Sequence, residues 1–243
     1  MNEPVFLHAG DGALVVEFSR EISDEVNALI RAFDAAVKSK NISGIIETVP
    51  TFRSLSVYYN PSLISFDKLS KKLRKILKNI SASSGGERTV IEIPVLYGGE
   101  YGEDLADVAA HTGLSENEVI SIHSGREYLI YMLGFLPGFA YLGGMDSRLE
   151  TPRLKNPRTR IHPGAVGIGG AQTGIYPLAS PGGWRLIGTT PVKPYDPERA
   201  EPFLYKAGDY IKFFPVDESE YNKIKALVES GEYVCKIRKE VAK

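Results

Sequence analysis

The stretch GIGGAQTGIYPLASPGGW, residues 167–184, limits the possible folds more than any other part of the chain. It holds six glycines and two prolines, and the chain's only tryptophan, Trp184, closes it. Glycine admits positive φ and close backbone approach, whereas Ile168, Ile175, Tyr176, Leu178 and Trp184 need burial, so a solvated linker is a poor description. The segment is either tightly turned β structure or the wall of a site. Between residues 134 and 188 lie 12 of the chain's 24 glycines, so backbone shape is demanded throughout this region. After Gly125 the short extended runs EYLIYMLGF, AVGIGG, WRLIGTT and YIKFFPV are punctuated by Gly and Pro, the pattern of a closed or nearly closed β-barrel.

The first part of the chain reads differently. ALVVEF (13–18), IIETV (45–49) and SLSVYY (54–59) are extended runs, and two helical stripes alternate with them in the order ββαββα. The first stripe is Val26, Leu29, Ile30, Phe33, Ala36 and Val37, with Ser23 or Asp24 as cap. The second is Leu69, Leu73, Ile76, Leu77 and Ile80, opened by Ser65 or Asp67. Helices on one face of a small antiparallel sheet make an α+β unit of ferredoxin-like type. SASSGGER (81–88) reads as a hinge, which gives two domains, an α+β domain over 1–86 and a β-barrel domain over 87–243. Within the second, TVIEIPVLY is a strand, EDLADVAAHTG and SENEVISIHSG are short helices, the latter with a Ser115–Glu118 capping box, and 217–231 is a terminal helix.

Charge and cysteine content narrow the functional classes. Lys plus Arg is 29 against 30 Asp plus Glu, so no global bias attracts nucleic acid or an anionic membrane. Cys235 stands alone, which rules out an internal disulfide, and neither CxxC nor HExxH occurs, so no metal is expected. With no apolar run of spanning length and no secretory pattern, a cytoplasmic protein is expected.

Chemistry-bearing residues gather around the glycines. Arg153, Arg158, Arg160 and Arg185 flank them, and guanidinium forks bind carboxylate or phosphate with paired hydrogen bonds. Backbone N–H groups of GIGGAQTG, including Gly169 and Gly170, offer a cradle for an anion, although the segment is neither a GxxxxGK[ST] loop nor a GxGxxG turn. Gln172, Thr173, Tyr176 and Trp184 supply neutral donors and walls. The competing readings are tight barrel corners for the glycines and a solvated basic loop for TPRLKNPRTR. His123 ends a helix that leads into the region and is a candidate for proton transfer or a packed core ring. Asp146 is a candidate base, a partner for Arg153, or a turn-stabilising carboxylate.

The motifs GFLPGFAYLGGMD (134–146), LETPR (149–153), NPRTR (156–160), AVGIGGAQTGIYPLASPGGWRLIG (165–188) and YGGEYGEDLADVAAHTGLSENEVISIHS (97–124) resemble one family over essentially the whole chain. It is the family of the bacterial 5-oxoprolinase B component, the kinase inhibitor KipI and allophanate hydrolase subunit 1. The chain departs from the family's usual pattern at Ile161–Ala165 and at Thr189. The resemblance implies a cyclophilin-like barrel after the α+β domain. It also implies two partners, the C (KipA-like) and A components, with which 5-oxoproline is opened to glutamate by ATP with Mg2+ at the level of the complex. Phosphorylating the lactam oxygen would make it a leaving group for attack by water, with Arg153, Arg158 and Arg185 neutralising anions and His123 or Asp146 moving protons. Other readings that it suggests are inhibition of a sporulation histidine kinase and a role in urea or allophanate metabolism.

Overall fold

The computed structural model describes residues 3–80 and 87–241. The expected hinge at 81–86 lies outside them. The chain divides into two compact units, 1–86 with 241–243 and 87–240.

The first unit is built on a four-stranded sheet, β1 (Val5–His8), β2 (Ala13–Glu17), β3 (Ile45–Pro50) and β4 (Ser54–Tyr59), in the order β1-β2-β4-β3 and antiparallel throughout. Alternation sets its inner face: Leu55, Val57 and Tyr59 of β4 are buried while Ser54, Ser56 and Tyr58 are not. Helices α1 (Asp24–Ser39) and α2 (Phe66–Leu77) cover that face with Ile30, Phe33, Leu69 and Leu73. Their caps are Ser23 and Ser65, each of which accepts a backbone N–H from the first turn and so satisfies a donor the helix cannot.

The second unit is a nearly closed sheet. Its strands are β5 (Glu87–Tyr97), β6 (Glu127–Leu133), β7 (Ala140–Gly143), β9 (Ala165–Gly169), β10 (Gln172–Ile175), β12 (Arg185–Thr189) and β13 (Tyr210–Pro215), in the order β10-β9-β12-β5-β13-β6-β7. The end strands β7 and β10 come side by side, which nearly closes the barrel. All these pairs are antiparallel except β13 with β5. A short pair, β8 (Arg158–Ile161) with β11 (Ser180–Gly182), stands apart from the main sheet, and β14 (Ile237–Val241) pairs with β5. Ile91, Ile93, Tyr128, Ile130, Val166, Ile168, Ile187 and Phe213 fill the interior, where each large apolar side chain contributes roughly 1.5–3 kcal/mol. Helices α3 (Leu105–Thr112), α4 (Glu116–Ser124) and α5 (Glu218–Glu229) pack around the barrel, and α4 opens with the expected Ser115–Glu118 box. The last strand begins at Ile237. Among the described residues no helix is long and apolar enough to cross a membrane.

Candidate functional site

Glycines of 167–183 make room for two rings, those of Trp184 and Tyr176. A Cβ on Gly169 would lie 2.3 Å from the Trp184 indole, and one on Gly174 would lie 3.2 Å from it. On Gly182 it would meet the Tyr176 hydroxyl at 2.5 Å. Gly170, with φ +65°, leads the two-residue β9–β10 turn in the conformation such hairpins require. Part of the expected anion cradle is occupied by the sheet: β9 lies between β10 and β12, so its N–H groups face the ladders, and the Gly170 N–H donates to Thr151 O at 2.8 Å. The reading of these glycines as tight β geometry is the one the structure follows.

Trp184 stands in an aromatic cluster centred on Phe139, whose ring meets Phe135, Tyr141, Tyr176 and Trp184 edge-on at centroid distances of 5.2–5.6 Å. Aromatic edges are positive and faces negative, so these T-shaped contacts fix ring orientation as well as burying area. On the outer side of the cluster lies a small hollow of about 140 Å³ bounded by Phe135, Phe139, Tyr141, Tyr176, Trp184 and Arg153. Pro181, Gly182 and Gly183 complete its rim. Arg153 is exposed, with its guanidinium 5.9 Å from the Trp184 ring centre, and among the described residues no carboxylate is bridged to it. Burial raises the Tyr176 phenol above its ordinary range, so at neutral pH it is a protonated donor.

The other arginines are held by acids. Arg158 Nη2 donates to Asp104 Oδ1 at 2.9 Å, and its Nε lies 2.9 Å from Glu103 Oε1. Arg185 Nη1 donates to Asp107 Oδ2 at 2.7 Å. Asp104 is 5% exposed, and its second oxygen accepts the Leu186 N–H at 2.7 Å. These pairs tie the start of α3 to β8 and β12 and leave Arg158 and Arg185 little charge for a ligand. Arg160 is exposed on β8, and Gln172 is half-buried opposite Gly169.

His123 lies in the barrel core at 0% exposure, stacked 4.8 Å from Phe213. Its Nε2 is 2.8 Å from Thr173 Oγ1, whose hydroxyl donates to Gly167 O at 3.0 Å. Thr173 must therefore accept from Nε2–H, and Nδ1 accepts from the Tyr97 hydroxyl at 2.7 Å. Desolvation pushes the ring pKa down to about 3, so it is neutral, with both nitrogens satisfied inside the protein. Of its two readings, the geometry matches the packed core ring. Asp146 caps a short turn and accepts from Arg148 N, Nε and Nη2 at 2.8–3.0 Å. Hydrogen bonding to the Arg148 side chain holds its carboxyl well below the usual carboxylate range. It bonds Arg148 rather than Arg153, which corrects that expected pairing.

The structure thus brings Arg153, Tyr176 and Trp184 to one hollow, with Gly169 beneath the indole, and places His123 and Thr173 in the core behind. Phe135, Phe139 and Tyr141 escape a reading that weighs only polar groups, although FLPGFAY carries their signal of clustered aromatics beside a Pro-Gly turn. Asp104 and Glu103 are missed because their partners lie more than fifty residues away.

The chain belongs to the family described as "Carboxyltransferase domain, subdomain C and D", whose model matches residues 4–205. Within it, the chain is 42% identical over 226 residues to the B component of 5-oxoprolinase from Bacillus subtilis, spanning 89% of this chain and 94% of that one. It is 41% identical to the component of the same name in Escherichia coli O157:H7, over 86% and 94% of the two chains. Among solved structures, TTHA0988 superposes with a TM-score of 0.75 and 38% identity, 84% of this chain aligning with 40% of that one.

Proposed function

We propose that this chain is the B component of an ATP-dependent 5-oxoprolinase and works only in a complex with the A and C components. The observation that carries this reading is the match of about forty per cent identity over nearly the full length of two bacterial proteins of that name. The chain's own chemistry supports a non-autonomous role. Arg158 and Arg185 are paired with carboxylates of the chain itself. The hollow of about 140 Å³ is also small beside the roughly 300–1,000 Å³ of sites that enclose drug-sized ligands, so this reading places the nucleotide and its Mg2+ outside it. What remains here is a place for the small acid, with Arg153 facing its carboxylate and Tyr176 and Trp184 flanking its ring.

The unit containing this hollow is read as a cyclophilin-like barrel. The N-terminal unit is read as ferredoxin-like, since counting βαββαβ from β2, with β1 taken as the last strand, reproduces that arrangement of strands and helices. ATP use and a lone buried thiol fit a cytoplasmic setting. Reconstitution tests the reading: the A and C components with this chain should release glutamate from 5-oxoproline in proportion to ATP consumed. Full activity without this chain, or none with it, would refute the assignment.

A further inference from the structure

Phe135 is the least economical residue in the barrel unit. It is 65% exposed, and its φ of +68° is a strained conformation for a non-glycine residue. The Leu136 N–H donates to Gly134 O at 2.8 Å, closing a three-residue γ-turn around Phe135 of the strained, positive-φ kind. The surroundings impose this conformation. The Gly134 N–H donates to Phe139 O at 3.1 Å, and the Phe139 N–H donates to Leu136 O at 3.0 Å. The buried Tyr205 hydroxyl donates to Gly138 O at 2.9 Å, and a Cβ on Gly138 would lie 2.7 Å from Tyr195. The loop is thus clamped at both ends, and the exposed ring is held on the rim of the hollow, edge-on to Phe139 at 5.6 Å. Apart from its edge contact with Phe139, an apolar ring kept both strained and wet gains little in the free protein, because a glycine would close the same turn without strain.

We propose that Phe135 is a specificity-determining wall that lies against the apolar face of a small ring acid seated on the Phe139–Trp184 floor, with the acid's carboxylate on Arg153. This deepens the reading of the hollow as the place for 5-oxoproline, and rests on it. The hollow's modest volume of about 140 Å³ suits one five-membered ring and its substituent better than a nucleoside. The aromatic walls favour a flat ring over an extended chain, and Arg153 favours an anion.

The chain carries its own reporter, since Trp184 is the only tryptophan and lines the hollow. Titration of the full chain with 5-oxoproline, followed by indole fluorescence, should give a saturable change, and ATP should give none. Phe135→Gly should weaken binding by about fivefold to twentyfold while raising the thermal midpoint by roughly 2 °C, because the lost ring contact and the relieved strain act on different states. Phe135→Tyr should keep the affinity of the natural chain. A merely structural Phe135 would lower midpoint and affinity together, so that result overturns the proposal, as does unchanged affinity in Phe135→Gly. No response of the natural chain to 5-oxoproline, or a response to ATP, overturns the ligand assignment. Neither outcome touches membership of the complex, which the reconstitution decides on its own.

Discussion

Acidification should unfold the barrel through one buried ring. His123 has a pKa of about 3 in the folded protein because burial excludes the charged form, against about 6.5 when the chain is unfolded. Between these values the unfolded state binds a proton that the folded state refuses, so stability rises with pH in this window and is lost as pH falls from about 6.5 toward 3. The slope is about 1.36 kcal/mol per pH unit, so moving from pH 7 to pH 5 should cost about 2 kcal/mol from this group alone. The groups facing the ring are Tyr97, Tyr128, Phe213 and Thr173, none of which ionises near this window. Tyr97 itself is pushed well above its ordinary range by burial. The check is urea unfolding of the natural chain and of His123→Gln at both pH values. Gln retains a donor and an acceptor but cannot titrate, so the natural chain should lose about 2 kcal/mol more than the variant over the interval. Equal losses would show that His123 protonates as readily folded as unfolded, and would refute the assignment of a neutral, desolvated ring.

The remaining predictions concern the frame of the hollow. Gly169→Ala should cost about 1–3 kcal/mol and alter Trp184 emission, because its Cβ would sit 2.3 Å from the indole. Gly170→Ala should cost about 1–2 kcal/mol with emission unchanged, because no atom lies within 4 Å and only the φ of +65° is at stake; chemical denaturation with fluorescence separates the two. Asp104→Ala should destabilise by about 3 kcal/mol in urea unfolding, since it strips a buried partner from Arg158 and the acceptor from the Leu186 N–H. Leaving Glu103 on Arg158 places the loss at the lower end of the range for broken buried pairs, and a loss below about 1 kcal/mol would show the cluster to be solvated.

Much of the architecture is legible before any coordinates. The helical stripes of α1 and α2, their serine caps and the capping box of α4 are local signals, written within a few residues, and the structure shows them where the pattern puts them. The glycines are legible as a demand on backbone shape, but their purpose is not, because one ring they admit is contributed by Trp184 from another strand's edge. Four flanking arginines look alike in sequence. Only the fold shows that Arg158 and Arg185 meet acids at the start of α3, while Arg153 is left beside the aromatic ring. His123 suggests chemistry for the same reason: a histidine leading into a glycine-rich segment gives no sign that Tyr97 and Thr173 will occupy both its nitrogens. Phe135 is invisible as a functional residue until its φ is known.

The central claim is that the barrel of this chain holds the small acid through Arg153 while its partners handle the nucleotide. The most direct measurement is steady-state glutamate release by the reconstituted complex carrying Arg153→Ala, with 5-oxoproline and ATP varied in turn. Loss of a charge-assisted pair of about 1.5–3 kcal/mol predicts a KM for 5-oxoproline raised about 10-fold to 150-fold, with the KM for ATP unchanged. A KM for 5-oxoproline that does not move, or an equal rise in the KM for ATP, would contradict it.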